Sequence, residues 1–324
     1  MPYLARAVIL LLTLSVPGFA APTASPVSSP AAAVPMTRQV DFRSKRNGRD
    51  YRIQIALPFG KAPPAGFPVI YVLDGDGYFG AWAFAARMRA VSGELAQAVV
   101  VGIGYPESAS SLDALMGRRM NELVPSLDPA ETARRPPSAS AGGPYAGADD
   151  LLEILHSEVP TLVQEVVPID RADSTLFGHS LGGLFALHAL FSHPDHFRTY
   201  LILSPSIWWD NRSVLAGRAA FLDRVARGEA APRVYLAVGS LEQPEPGKPL
   251  TGKLPPGMTE DEARKYMERG AMVDNTREMI AALQVPSAPP GYEVRGRVVP
   301  GETHISVAWA VLNEMLTFAV PVGD

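Results

Sequence analysis

Phe177-Gly178-His179-Ser180-Leu181-Gly182-Gly183 sets a serine between glycines, after a short apolar strand read at Ser174–Phe177 and before an apolar helix read from Leu181 to Phe191. A serine in such a strand-to-helix turn sits in a strained backbone that lifts its hydroxyl clear of the sheet, so its neighbours must be nearly side-chain-free. Gly178 and Gly182 meet that need. The start of the next helix adds backbone N–H groups suited to a developing oxyanion. A further glycine at 183 and a histidine far along the chain complete a pattern that marks Ser180 as candidate nucleophile.

The flanking sequence supplies the sheet that such a turn needs. Gln39–Ser44 and Tyr51–Leu57 alternate around Asn47-Gly48 and read as an antiparallel hairpin of edge strands. Phe67–Leu73, Ala98–Ile103, Thr199–Leu203, Arg233–Val238 and Tyr292–Val299 read as buried strands. Helical patterns fall at Tyr78–Ala90, Asp149–Val167, Glu260–Leu283 and Ile305–Ala319, while residues 105–146, dense in Pro, Ser, Ala and Gly, read as a long surface excursion. Alternating strands and helices predict an α/β fold: a mostly parallel, twisted sheet with helices on both faces and ligands at the carboxyl ends of its strands.

Composition narrows the chemistry. The 324 residues carry a net charge of -4 with both signs interspersed, which argues against a nucleic-acid partner. Six histidines and no cysteine exclude disulfides, thiolate metal sites and a cysteine nucleophile, and nothing calls for a metal or cofactor. Arg6, the apolar run Ala7–Val16 and the small residues around Ala20 predict a secretory signal over residues 1–20. That run falls short of the ~20 residues of a membrane span, so the protein is expected to be periplasmic or secreted with no stable membrane insertion. Residues 21–36 read as a Pro/Ala/Ser-rich tether and 37–324 as one domain.

Ser180 needs a base, and position chooses among the histidines. His156 and His188 fall inside helices, His193 and His196 lie ~15 Å away at the far end of the helix after Ser180, and His179 leaves the turn in another direction and braces it. His304 follows the last strand, on the side where the serine opens, and is the expected base. The orienting acid is expected after the strand between serine and histidine, which makes Glu242 the first choice, with Glu302, Asp274 or a dyad without an acid as alternatives. The expected oxyanion donors are the N–H of Leu181 and that of Gly75 or Asp76, in the loop after Phe67–Leu73. Asp74-Gly75-Asp76-Gly77 lacks the further ligands of a calcium loop, Gly247–Lys253 lacks the Ser/Thr of a phosphate loop, and Gly102-Ile103-Gly104 lacks the third glycine of a dinucleotide fingerprint.

Val69–Gly75, Gly102-Ile103-Gly104-Tyr105, Gly178–Leu184, Ser204-Pro205-Ser206-Ile207-Trp208-Trp209 and His304 together resemble the esterase family of α/β-hydrolases that contains esterase D, the enterochelin and salmochelin esterases and the mycolyltransferases. The siderophore-esterase-like branch is the nearest likeness. The resemblance implies an α/β-hydrolase fold, Ser180 as nucleophile, His304 as base and the Gly75–Asp76 loop in the oxyanion hole. It also implies a substrate-facing arginine at Arg118 or Arg119 and an aromatic or acyl pocket at Trp208 and Trp209. The expected activity is serine ester hydrolysis through an acyl-enzyme, the expected partner a small-molecule ester, and an ester or lactone of a catecholate siderophore the leading substrate. A generic carboxylesterase, an acyltransferase and a non-catalytic siderophore-binding protein on the same fold are the rival expectations.

Overall fold

Alternation along the strands decides the layering. In the strand Phe67–Leu73 (β3), Val69, Tyr71 and Leu73 join one apolar cluster while Ile70 and Val72 join another on the opposite face, as a pleat covered on both sides requires. The computed structural model of the protein describes residues 34–106, 111–125, 147–247, 249–250 and 257–322. In it, strands Thr37–Arg43 (β1), Asp50–Ala56 (β2), β3, Val99–Gly104 (β4), Ile169–His179 (β5), Thr199–Leu203 (β6), Arg233–Gly239 (β7) and Glu293–Val299 (β8) form one sheet in the order β1-β2-β4-β3-β5-β6-β7-β8. β1 and β2 pair antiparallel, β2 pairs antiparallel with β4, and every other neighbour is parallel. Only β1 of the hairpin is an edge; β2 is an inner strand whose Tyr51, Ile53 and Ile55 are fully buried.

The helices described between these strands are Gly75–Val91 (α1), Leu112–Glu122 (α2), Ala148–Glu153 (α3), Val159–Gln164 (α4), Leu181–Ser192 (α5), Arg218–Ala226 (α6), Glu260–Gly270 (α7), Met272–Leu283 (α8) and Val307–Ala319 (α9). α1 and α9 cover one face, burying Phe79, Trp82, Val311 and Met315 with Phe177 and Leu203. α5 covers the other and is buried almost all round, from Leu181 to Phe191.

Four expectations change. β5 starts at Ile169, five residues before the apolar core that announced it, because polar Asp170, Arg171 and Asp173 hide its beginning. The pattern at 149–167 is interrupted by a π turn, Ile154–Glu158, between α3 and α4. The helix expected over 260–283 is two helices, broken where Ala271 takes a left-handed conformation with φ 41°. The excursion after β4 holds α2, started by Ser111, whose side chain accepts a hydrogen bond from the Ala114 N–H. Residues 1–33 and 126–146 lie outside the described residues, as do the signal segment, most of the tether and part of Gly247–Lys253. Residues 34–36 of the tether are engaged with the domain: the Met36 carbonyl accepts from Leu57 N–H at 3.0 Å. No described helix is long and apolar enough to cross a membrane.

Candidate active site

The serine turn is built as the glycines demand. Ser180 has φ 62° and ψ −116°, a strained conformation that costs on the order of 1–3 kcal/mol and persists only where its surroundings fix it. Its N–H donates to the Leu203 carbonyl at 3.0 Å and its carbonyl accepts from the Ser206 N–H at 3.1 Å, so the end of β6 grips both sides of the turn. A Cβ on Gly178 would collide with the Gly182 carbonyl, which is why the residue two before the serine carries none. Leu181 opens α5, where the first backbone N–H groups have no intrahelical acceptor.

Two neighbouring strand ends supply the histidine and the acid. Glu242 closes a short 3₁₀ turn, Ser240–Glu242, directly after β7, and His304 stands between β8 and α9. The Glu242 side chain is 1% exposed and lies 2.6 Å from His304 Nδ1 through Oε2. Its Oε1 accepts from the Ser204 hydroxyl at 2.6 Å and from the Gly239 N–H at 2.7 Å, so a buried carboxylate is fully hydrogen-bonded. The two loops interlock: Leu241 N–H donates to the Glu302 carbonyl at 2.9 Å, and Gly301 N–H donates to the Ser240 hydroxyl at 2.9 Å. A Cβ on Gly239 would strike that same Glu302 carbonyl. Glu302 thus enters through its backbone, while Asp274 pairs with Gln243; of the three carboxylates weighed from sequence, Glu242 is the one on His304.

His304 is seated beside the serine turn. Its ring centroid is 4.5 Å from that of His179, the residue before Ser180, and its side chain is 39% exposed. His179 is buried and its Nδ1 lies 2.7 Å from the Tyr78 hydroxyl. Burial, then the charges of His304 and Arg119, hold His179 well below the usual imidazole pKa of 6.5, against a weaker opposing contact with the His304 backbone. A histidine whose folded pKa is depressed binds fewer protons than the unfolded chain below 6.5, so its stabilising contribution is whole above that pH and is lost below it. Thermal unfolding followed from pH 8 to 5 should therefore show a midpoint that falls below about 6.5. The unfolding free energy of His179→Phe should fall less steeply over that range, by up to about 1.4 kcal/mol per pH unit.

The loop after β3 completes the site. Asp74 is left-handed with φ 52°, and its carbonyl accepts from the N–H groups of Gly77 and Tyr78, leaving Gly75 and Asp76 to open α1. Arg119 of α2 clamps the Asp74 carboxylate with two bonds, 2.6 Å and 3.0 Å. The Asp74 carboxylate lies 3.5 Å from where a Gly182 Cβ would stand, so this loop and the serine turn are neighbours.

The other substrate-side expectations fare differently. Arg118, one helical step from Arg119, turns instead to Glu122 at 2.8 Å and to the Asp50 carbonyl at 2.9 Å, and stacks over the rings of Tyr51 and Tyr105 at 5.0 and 4.9 Å. It braces α2 against the sheet, because the buried Glu122 needs a cation. Trp209 is 5% exposed and belongs to the core, whereas half-buried Trp208 packs beside Val238, Met272 and Val273. Two contributors escaped the sequence reading. Ser204, left-handed with φ 42°, orients the acid, and its signal lay in the Ser204–Trp209 run; Tyr78 had no signal beyond its place after the Asp74 loop.

A mostly parallel sheet with a strained serine turn after β5, a buried carboxylate after β7 and a histidine after β8 defines the α/β-hydrolase fold. The chain belongs to the family described as "Putative esterase", whose model matches residues 44–253. The ferri-bacillibactin esterase BesA of Bacillus subtilis is 30% identical over 296 residues, 90% of this chain and 92% of that protein. The siderophore triacetylfusarinine C esterase of Aspergillus fumigatus is 34% identical over 224 residues, 66% of this chain and 71% of that protein. Among solved structures, the BES protein of Bacillus cereus superposes with a TM-score of 0.73 at 31% identity, covering 91% of this chain and 100% of that one.

Proposed function

We propose that this protein is an exported serine esterase that opens siderophore ester or lactone bonds through an acyl-enzyme on Ser180. The observation that carries the reading is the buried Glu242 carboxylate 2.6 Å from His304 Nδ1, beside a serine held at φ 62°. With Nδ1–H given to Glu242, His304 keeps its Nε2 lone pair for the Ser180 proton. Ser180 Oγ attacks the ester carbonyl, and the N–H groups of Leu181 and of Gly75 or Asp76 receive the oxyanion. The imidazolium, stabilised by Glu242, then returns the proton to the leaving alkoxide oxygen. Water activated by the same nitrogen releases the acid and frees Ser180. The scheme does not call on Arg118, whose guanidinium is engaged by Glu122 and the Asp50 carbonyl, nor on Trp209, which is buried in the core.

The substrate class is supported by relatives named as esterases of ferri-bacillibactin and of triacetylfusarinine C. Export is supported by the Arg6–Ala20 segment. The test is a chromatographic assay of ferric and iron-free catecholate trilactones beside simple acyl esters. Faster opening of a trilactone than of any simple ester supports the reading. Hydrolysis of simple esters alone indicates a general carboxylesterase, transfer to an added alcohol indicates an acyltransferase, and binding without turnover indicates a holder.

Glu242→Gln tests the acid. The glutamine carbonyl can still accept from Ser204 and Gly239, which turns its NH₂ toward His304 Nδ1 and forces that nitrogen to be the unprotonated one. The other nitrogen then carries the proton and cannot accept from serine. The expected loss in kcat is about 10³-fold with KM little changed. Near-normal turnover would instead indicate a working serine–histidine dyad.

A further inference from the structure

Beside the serine lies a buried titratable side chain that has no part in the scheme above. His179 is 3% exposed and directly precedes Ser180. Two separate pieces of the chain meet on its ring, Tyr78 of α1, 2.7 Å from Nδ1, and His304 of the loop after β8, with centroids 4.5 Å apart and planes 37° apart, while its own backbone leads into the serine turn. The Tyr78 ring stands edge-on to it at 5.7 Å and to Phe177 at 5.5 Å, so the phenol has little room to turn. Besides Tyr78 and His304, the charged groups acting here are Arg119 of α2, which bears on both His179 and Tyr78, and its partner Asp74 ahead of α1, which bears on Tyr78.

Burial keeps both partners of this hydrogen bond neutral. Burial, with Asp74 adding and Arg119 opposing, pushes the Tyr78 hydroxyl up to about 12, so the phenol keeps its proton. The Tyr78 hydroxyl and His179 Nδ1 share one hydrogen bond at 2.7 Å, which fixes the ring's orientation whichever of the two donates. Such a ring is uncharged as well as fixed. This matters to its neighbour, since a positive His179 would oppose the imidazolium that His304 must become.

We propose that His179 is a positioning residue of the esterase reaction: a neutral ring, oriented by Tyr78, that seats the His304 imidazole beside Ser180 and ties that seat to the helix opened by Gly75 and Asp76. Glu242 holds one edge of the His304 ring, and His179 supplies a wall that stops it swinging about that edge. The base then keeps one orientation through both acylation and deacylation. His179 acts through His304, so its removal is felt in kcat and not in substrate affinity. The inference rests on the serine-esterase reading.

The test uses the full-length protein with Tyr78→Phe, His179→Phe and the double variant, measuring kcat, KM, thermal unfolding and the rate of serine labelling by a fluorophosphonate. Tyr78→Phe deletes a single oxygen, so it carries the test even where His179→Phe folds poorly. The expected result is a fold retained in Tyr78→Phe, a kcat and a labelling rate lowered by about tenfold, and KM within about twofold. The double variant should be no slower than the worse single, because the pair acts as a unit. A folded Tyr78→Phe with wild-type kcat and labelling overturns the inference, as does a loss confined to KM or one that disappears well below the unfolding midpoint. Failure of the wild-type protein to label at Ser180 is a separate result: it removes the esterase reading and this inference with it.

Discussion

Ser180→Ala should lower ester turnover by about 10⁴-fold or more while the protein folds as before. The size of the loss follows from chemistry, since alanine offers no atom that can form the acyl-enzyme. What catalysis survives would come from the proposed oxyanion donors, the N–H groups of Leu181 and of Gly75 or Asp76, which would polarise an ester carbonyl for attack by water. The preserved fold follows from geometry. Alanine bears the same φ of 62° as serine with a similar backbone cost, and the clasp from Leu203 and Ser206 uses only main-chain atoms. Thermal unfolding and steady-state hydrolysis on the same preparation check both halves. A variant that keeps a tenth of wild-type activity would move the nucleophile elsewhere.

His304→Ala should cost a comparable factor, and the double variant with Ser180→Ala should be no worse than either single. A serine without its base is nearly as inert as no serine, so the effects overlap instead of adding. The deletion also leaves Glu242 with one oxygen facing the vacated position, while Ser204 and Gly239 continue to hold the other. That burden is eased by water entering a position already 39% exposed, and the midpoint of unfolding should fall by only a few degrees. Multiplicative losses in the double variant would show that the two residues act independently.

Much of this site was legible in the sequence because each feature answers a steric or topological demand. Only glycine fits at 178, so the elbow declares itself; only His304 follows a strand on the open side of the sheet, so elimination points to it; Glu242 closes the turn just after the strand between them. The remainder turned on facts that do not register along a chain. Arg118 and Arg119 are adjacent and alike, and which of them reaches Asp74 depends on the rotation of α2, a helix obscured by a Pro- and Ser-rich neighbourhood. Trp208 and Trp209 part company for a similar reason, one half-buried and one in the core. The break falls on Ala271, a strong helix former that takes φ 41° there, and its one local hint is Gly270 just before it, which closes α7. Ser204 was visible as part of a conspicuous run, but its task became apparent only once β6 and β7 were side by side in register, with Leu203 opposite Ala237.

The most direct measurement is covalent labelling of the purified full-length protein with a fluorophosphonate, followed by peptide mass spectrometry. The serine, histidine and glutamate arrangement predicts one adduct, on Ser180, that disappears in Ser180→Ala and forms far more slowly in His304→Ala. A folded protein that takes no label, or takes it on another serine, would contradict the assignment of this turn as the catalytic centre.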